Sequence, residues 1–81
     1  MSSEEPVPLA SLKQGERAIV HSLAGGLGLE KRLRSLGIRE GREICLDAKH
    51  HFSGPLVVDI SGRQVTIGRG MASKIIVRRA K

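Results

Sequence analysis

Twelve residues, LVVDISGRQVTI from Leu56 to Ile67, leave the chain little choice but to make an antiparallel hairpin. Leu56, Val58 and Ile60 alternate with Val57 and Asp59, the period of a strand with one face buried. Ser61-Gly62 interrupts the alternation with two residues suited to a tight turn. Folding back there sets Ile60 opposite Arg63, Val58 opposite Val65 and Leu56 opposite Ile67. Asp59 then meets Gln64 and Val57 meets Thr66, so apolar residues line up on one face only. A hairpin alone cannot hide that face. The rest of the chain must cover it.

Three more stretches read as strands. Arg17 to Leu23 (RAIVHSL) is rich in strand formers, and Ile75 to Arg79 (IIVRR) closes the chain. Glu43 to Lys49 (EICLDAK) alternates, with Ile44, Leu46 and Ala48 on one face and Glu43, Cys45, Asp47 and Lys49 on the other. Ser11 to Gly15 reads as one helical turn, with Leu9 and Leu12 facing inward together. Gly68 to Lys74 is too glycine-rich for a strand and suits a turn or single helical turn, with Met71 and Ala72 inward. Met1 to Pro8 has no periodicity and is expected to be a flexible leader ahead of one domain over residues 9–81.

The one helical signal of length is LGLEKRLRSLGIREG, Leu27 to Gly41. Leu29, Leu33 and Leu36 fall at i, i+4 and i+7, one face of a helix. Glu30 is expected near its positive end, and Lys31, Arg32 and Arg34 follow toward the negative end. Gly37 is placed to take positive φ one residue past the end, with Ile38 folding back onto Leu33. Gly41 supplies a second turn, and Gly25 to Gly28 reads as the loop leading in. A helix of about two turns does not stand alone in water, so it is expected to lie against the strands. Five short strands and one helix predict a mainly β fold, a small SH3-like barrel with the helix covering one end.

Composition narrows the function. Of 81 residues one is Phe (Phe52) and none is Trp or Tyr, so the core must be aliphatic. Fourteen Lys and Arg against eight Asp and Glu give a net charge of +6, a surface suited to polyanions or acidic protein faces. A single cysteine, Cys45, makes no internal disulfide, and the acidic N-terminus lacks a secretory pattern, so cytoplasm is the expected location. No apolar run approaches the roughly 18 residues of a membrane span.

No catalytic pairing is visible, and a domain of this size has little room for a substrate pocket, so no enzyme is expected. The run Gly25-Gly26-Leu27-Gly28 precedes a helix but lacks the Gly-Lys-Ser/Thr of a phosphate loop and the third glycine of a dinucleotide fingerprint. Cys45, His50 and His51 are the weak candidates for a metal. Their spacing matches no zinc motif, and adjacent histidines on an extended chain point apart, so adventitious zinc or iron is the most expected of them. Lys31, Arg32, Arg34, Arg39 and Arg42 are the candidate partner-binding cations. Nucleic acid is the alternative partner to protein, held by charge alone, since single-strand binders stack bases on aromatic rings and only Phe52 is present.

Arg32-Leu33, Leu36-Gly37 and Gly41, with RLRSLGIREG at their centre, resemble the signature of the FeoA family. Leu9, Leu12 and Gly15 at the start, Gly54-Pro55 before a strand, and Ala72 before Ile75-Ile76-Val77 extend the resemblance over residues 9–77. It implies a small cytoplasmic SH3-like barrel of bacterial ferrous iron uptake, acting as an accessory or regulatory protein; from the residues themselves no cofactor is expected. The implied partner is FeoB, a membrane transporter with a cytosolic GTP-binding domain. Leu29, Leu33, Leu36, Gly37 and Gly41 are expected to be structural, and Arg32 either structural or part of the docking face.

Overall fold

The hairpin forms in the register its alternation sets, from Ile60 opposite Arg63 to Leu56 opposite Ile67. Ser61 and Gly62 both take positive φ, 54° and 84°, the two left-handed residues that join strands of right-handed twist. The structure is a computed structural model and describes residues 5–49 and 54–80. His50, His51 and Phe52 lie outside the described residues.

The described residues form six strands: β1 (Val7–Pro8), β2 (Arg17–Leu23), β3 (Glu43–Lys49), β4 (Leu56–Ile60), β5 (Arg63–Ile67) and β6 (Ile75–Arg79). They form one antiparallel sheet in the order β1-β6-β2-β3-β4-β5. The inward residues of β2, β3, β4, β5 and β6 meet in a single aliphatic cluster, with Val7 of β1 packed against it. A sheet must curl on itself to do that. Among the described residues no polar side chain is buried.

The sixth strand corrects the expected start of structure at Leu9, because Val7 pairs with Val77 and Pro8 with Ile76. Periodicity could not announce it, since two residues carry no period and proline is tolerated at a sheet edge. The first helical turn also lies earlier than Ser11 to Gly15. It is a 3-10 turn over Leu9–Ser11, entered through Pro8 at φ −64°, with Leu12 N–H donating to Leu9 O at 3.0 Å. Leu9 and Leu12 are both fully buried, as expected.

Two bulges rearrange the faces. In β2 the pairing with β6 slips at His21, so Ala18, Val20 and Leu23 point inward although strict alternation would bury Ser22. In β3 the slip falls at Asp47, so Ala48 comes opposite outward Val57 and Lys49 opposite buried Leu56. The expected faces of Ala48 and Lys49 are therefore exchanged. Lys49 uses its inward position: its Nζ donates to Ala10 O at 2.9 Å and Leu12 O at 2.7 Å, tying the 3-10 turn to β3. A second tie comes from Glu16, whose carboxylate accepts from Lys13 N–H at 2.8 Å and from Arg79 Nε at 2.7 Å. The Lys13 bond, with help from Arg79, holds this carboxyl below the usual carboxylate range.

α1 spans Gly26–Ser35, nearly three turns instead of two, because Gly26, Leu27 and Gly28 form its first turn and not a loop. Glu30 accordingly lies beyond the first turn and reaches Arg34 at 3.9 Å across one turn. Leu33 is fully buried, with Leu29 and Leu36 packed at the margin of the core. The helix ends as expected: Gly37 sits at φ +94°, its N–H donating to Arg34 O, while Ile38 N–H donates to Leu33 O, both at 3.0 Å. Ile38 is thereby folded into the core. Gly41 takes φ +88° and donates its N–H to Val20 O at 2.8 Å, carrying the chain back to the sheet beside the β2 bulge. A last helical turn, α2 (Arg69–Ala72), buries Ala72 and half-buries Met71.

A Cβ added at Gly37 would meet only Ile60 Cγ2, at an ordinary 3.6 Å, so backbone conformation alone sets the cost of substitution there. Gly37→Ala is expected to lose about 1–2 kcal/mol in chemical denaturation. An unchanged midpoint would show the stop to be unimportant. Lys49→Met, which keeps the aliphatic stem but strands two carbonyls, is expected to cost about 1–3 kcal/mol in the same measurement.

Candidate functional site

α1 presents its cations because Leu29 and Leu33 are committed to the core. Its N-cap Gly25 and first residue Gly26 both take left-handed φ, 119° and 90°, which turns the chain sharply out of β2. A Cβ at Gly25 would collide with Leu29 Cδ2. The turn brings Leu29 and Leu33 onto the sheet and leaves Leu27, Lys31, Arg32 and Arg34 facing out. Arg32 and Arg34 occupy the last turn, where the helix dipole favours them.

The five cations expected to bind a partner divide into two groups. Arg34 is held by Glu40 at 3.2 Å as well as by Glu30, and Arg42 donates to Ser61 Oγ at 3.0 Å. These two line a shallow groove of about 280 Å³ where the end of α1 meets the hairpin turn. Arg63 joins them there and donates to Leu36 O at 3.3 Å, covering a carbonyl at the helix end. Arg63 was not among the expected binding residues, although the hairpin register already set it beside the turn. Lys31, Arg32 and Arg39 are exposed and make no ion pair among the described residues.

The opposite sign gathers elsewhere. Glu43, Cys45, Asp47 and Asp59 line an open groove of about 490 Å³ on the outer face of β3 and β4, with Arg17 at its rim. Cys45 Sγ donates to Gly15 O at 3.8 Å. Burial, and then the negative charges of Asp47 and Asp59, push its thiol above the ordinary range. A thiol held protonated is a poor nucleophile and a poor metal ligand. Among the described residues no group of three or more His, Cys, Asp or Glu is placed to hold a metal ion. No helix of the described residues is long and apolar enough to cross a membrane.

A curled antiparallel sheet with an aliphatic core and a helical lid defines a small mainly β domain of the SH3-like class. The comparisons with known proteins give it a family. The profile of the FeoA domain matches residues 7–79, and the chain belongs to the FeoA family. A protein of Methanocaldococcus jannaschii that bears the name "Putative Fe(2+) transport protein A" is 39% identical over 74 residues, which is 91% of this chain and 88% of that one. The crystal structure of an iron uptake regulatory protein, FeoA, superposes with a TM-score of 0.85 at 29% identity, covering 94% of this chain and 99% of that one. The solution structure of FeoA from Chlorobium tepidum gives 0.84 at 29% identity, covering 93% and 71%. The SH3-like fold and the FeoA family expected from the sequence are thus both in place.

Burial in the groove, with the carboxylates beside it, has a measurable consequence at Cys45. With its pKa raised, the thiol is expected to react with iodoacetamide at neutral pH more slowly than the same residue in the denatured chain. The rate should climb as pH rises through and beyond the ordinary thiol range. Equal rates in the folded and unfolded protein at pH 7 would remove the groove's influence on this residue.

Proposed function

We propose that this protein is a cytoplasmic accessory protein of ferrous iron uptake, docking on the cytosolic GTP-binding part of a FeoB-type transporter. Ferrous iron is the transporter's cargo in this reading, and the barrel itself carries neither cofactor nor catalytic group. The observation that carries it is the FeoA match over residues 7–79, with a 39% identical relative whose name places it in Fe(2+) transport. The geometry supports a docking role. Lys31 and Arg32 stand exposed on α1 with no compensating carboxylate among the described residues, and Arg39 follows in the turn after it.

Charge of that kind acts first on encounter. A complementary acidic surface would be steered toward α1, and short-range packing would then fix the complex. Arg34 and Arg42 contribute differently from the other cations. Each already has a partner inside the chain: Arg34 braces Glu30 and Glu40 around the helix end, and Arg42 ties the following turn to Ser61 of the hairpin.

The test is an NMR titration of the ¹⁵N-labelled protein with the transporter's cytosolic domain and, separately, with RNA at two salt concentrations. Saturable shifts around residues 31–42 with the protein domain are expected. A response to RNA alone, collapsing with salt, would replace the docking role by electrostatic nucleic-acid binding.

A further inference from the structure

Gly28 is a glycine that this chain's own structure does not explain. It lies within the first turn of α1, its φ is outside the left-handed region, and a Cβ built on it meets nothing within 4 Å. Neither conformation nor crowding asks for a missing side chain, and glycine is among the poorest residues in a helix interior. What glycine supplies there is bare backbone, open to close approach from outside.

The residue beside it sharpens the point. Leu27 is 76% exposed, the most exposed large apolar side chain of the described residues. It is flanked by Gly26 and Gly28, with Gly25 also exposed, so it stands proud of a surface stripped of side chains. Lys31 lies one helical turn on from Leu27, and Arg32 one turn on from Gly28. The Lys74 side chain runs beside Gly25, where a Cβ would lie 3.5 Å from its Cγ. An apolar knob on bare backbone, rimmed by cations, is the layout of an interface centre with a polar edge.

We propose that Leu27 and Gly28 form the contact centre through which the protein docks on its transporter. Leu27 enters an apolar socket of the partner, the partner's backbone lies against Gly28, and carboxylates around the socket meet Lys31, Arg32 and Lys74. This rests on the docking role proposed above and adds the residues and the chemistry of the opposing surface. A second copy meeting this patch face to face is a poor occupant, since it brings the same cations to the contact.

The experiment measures binding of the full chain to the transporter's cytosolic domain by calorimetry, alongside thermal unfolding, for the parent, Leu27→Ser, Gly28→Ala and Gly28→Gln. Leu27→Ser and Gly28→Gln are expected to weaken binding by roughly tenfold or more. Leu27→Ser should leave the unfolding midpoint where it is. Gly28→Ala should raise the midpoint, through better helix propensity, while binding less well than the parent. Affinity lost together with a lowered midpoint in all three variants would make these residues structural and overturn the proposal. Variants binding as tightly as the parent would overturn it too while leaving the docking role intact. Failure of the parent to bind would remove both. Self-association of the parent that Leu27→Ser abolishes would give the patch to a second copy, against the proposal.

Discussion

Aliphatic close packing is what everything else in this molecule waits on. With one Phe and no Trp or Tyr, no single large ring can anchor the interior, so many small contacts must coincide. Leu, Ile, Val and Ala from five strands, the 3-10 turn, α1 and α2 meet in one cluster, and Ile38 joins it from the turn after the helix. The helix depends on that cluster rather than on its own propensity. Leu33 is its single fully buried residue, and the left-handed turns at Gly25–Gly26 and Gly37 fix where it enters and leaves. A helix gripped along one narrow stripe keeps the rest of its circumference for the surface.

That grip explains how the charges are distributed. Cations on α1 cannot turn inward without displacing Leu29 and Leu33, so Lys31 and Arg32 stay in solvent. Arg34 is different because Glu30 lies one turn before it and Glu40 is folded back by the Gly37 stop. Lys49 is the converse case, a cation drawn inward by a bulge and satisfied by two backbone carbonyls. Formal charge is therefore a poor guide to which basic residues are available to a partner. Position relative to the core stripe decides it.

Much of this was readable from residues alone, and the exceptions share a cause. The Leu56–Ile67 register was legible because the turn length and the period-2 pattern constrain the same pairing. The stop at Gly37 was legible because the leucine spacing, the glycine and Ile38 agree. The bulges at His21 and Asp47 were not, since a bulge is decided by the strand alongside and not by the strand that carries it. The start of α1 was misplaced for a related reason: glycine argues against helix locally, and only the sharp return onto the sheet makes Gly26 to Gly28 helical. At the candidate site the cations could be named in advance. Their division between paired and unpaired, and the place of Arg63, depended on contacts between residues distant in sequence.

In the docking role proposed above, the two signs of charge would work together on a partner's approach. Net charge of +6 draws an acidic surface in from any direction, but it does not say where that surface should land. The outer face of β3 and β4 carries Glu43, Asp47 and Asp59 and repels such a surface at short range. Arg17 there is already matched by Glu43 at 3.6 Å. Repulsion on one face and unpaired cations on another turn a general attraction into an orientation. In that docking role, the separation of charge would set how this 81-residue domain is oriented on a larger protein.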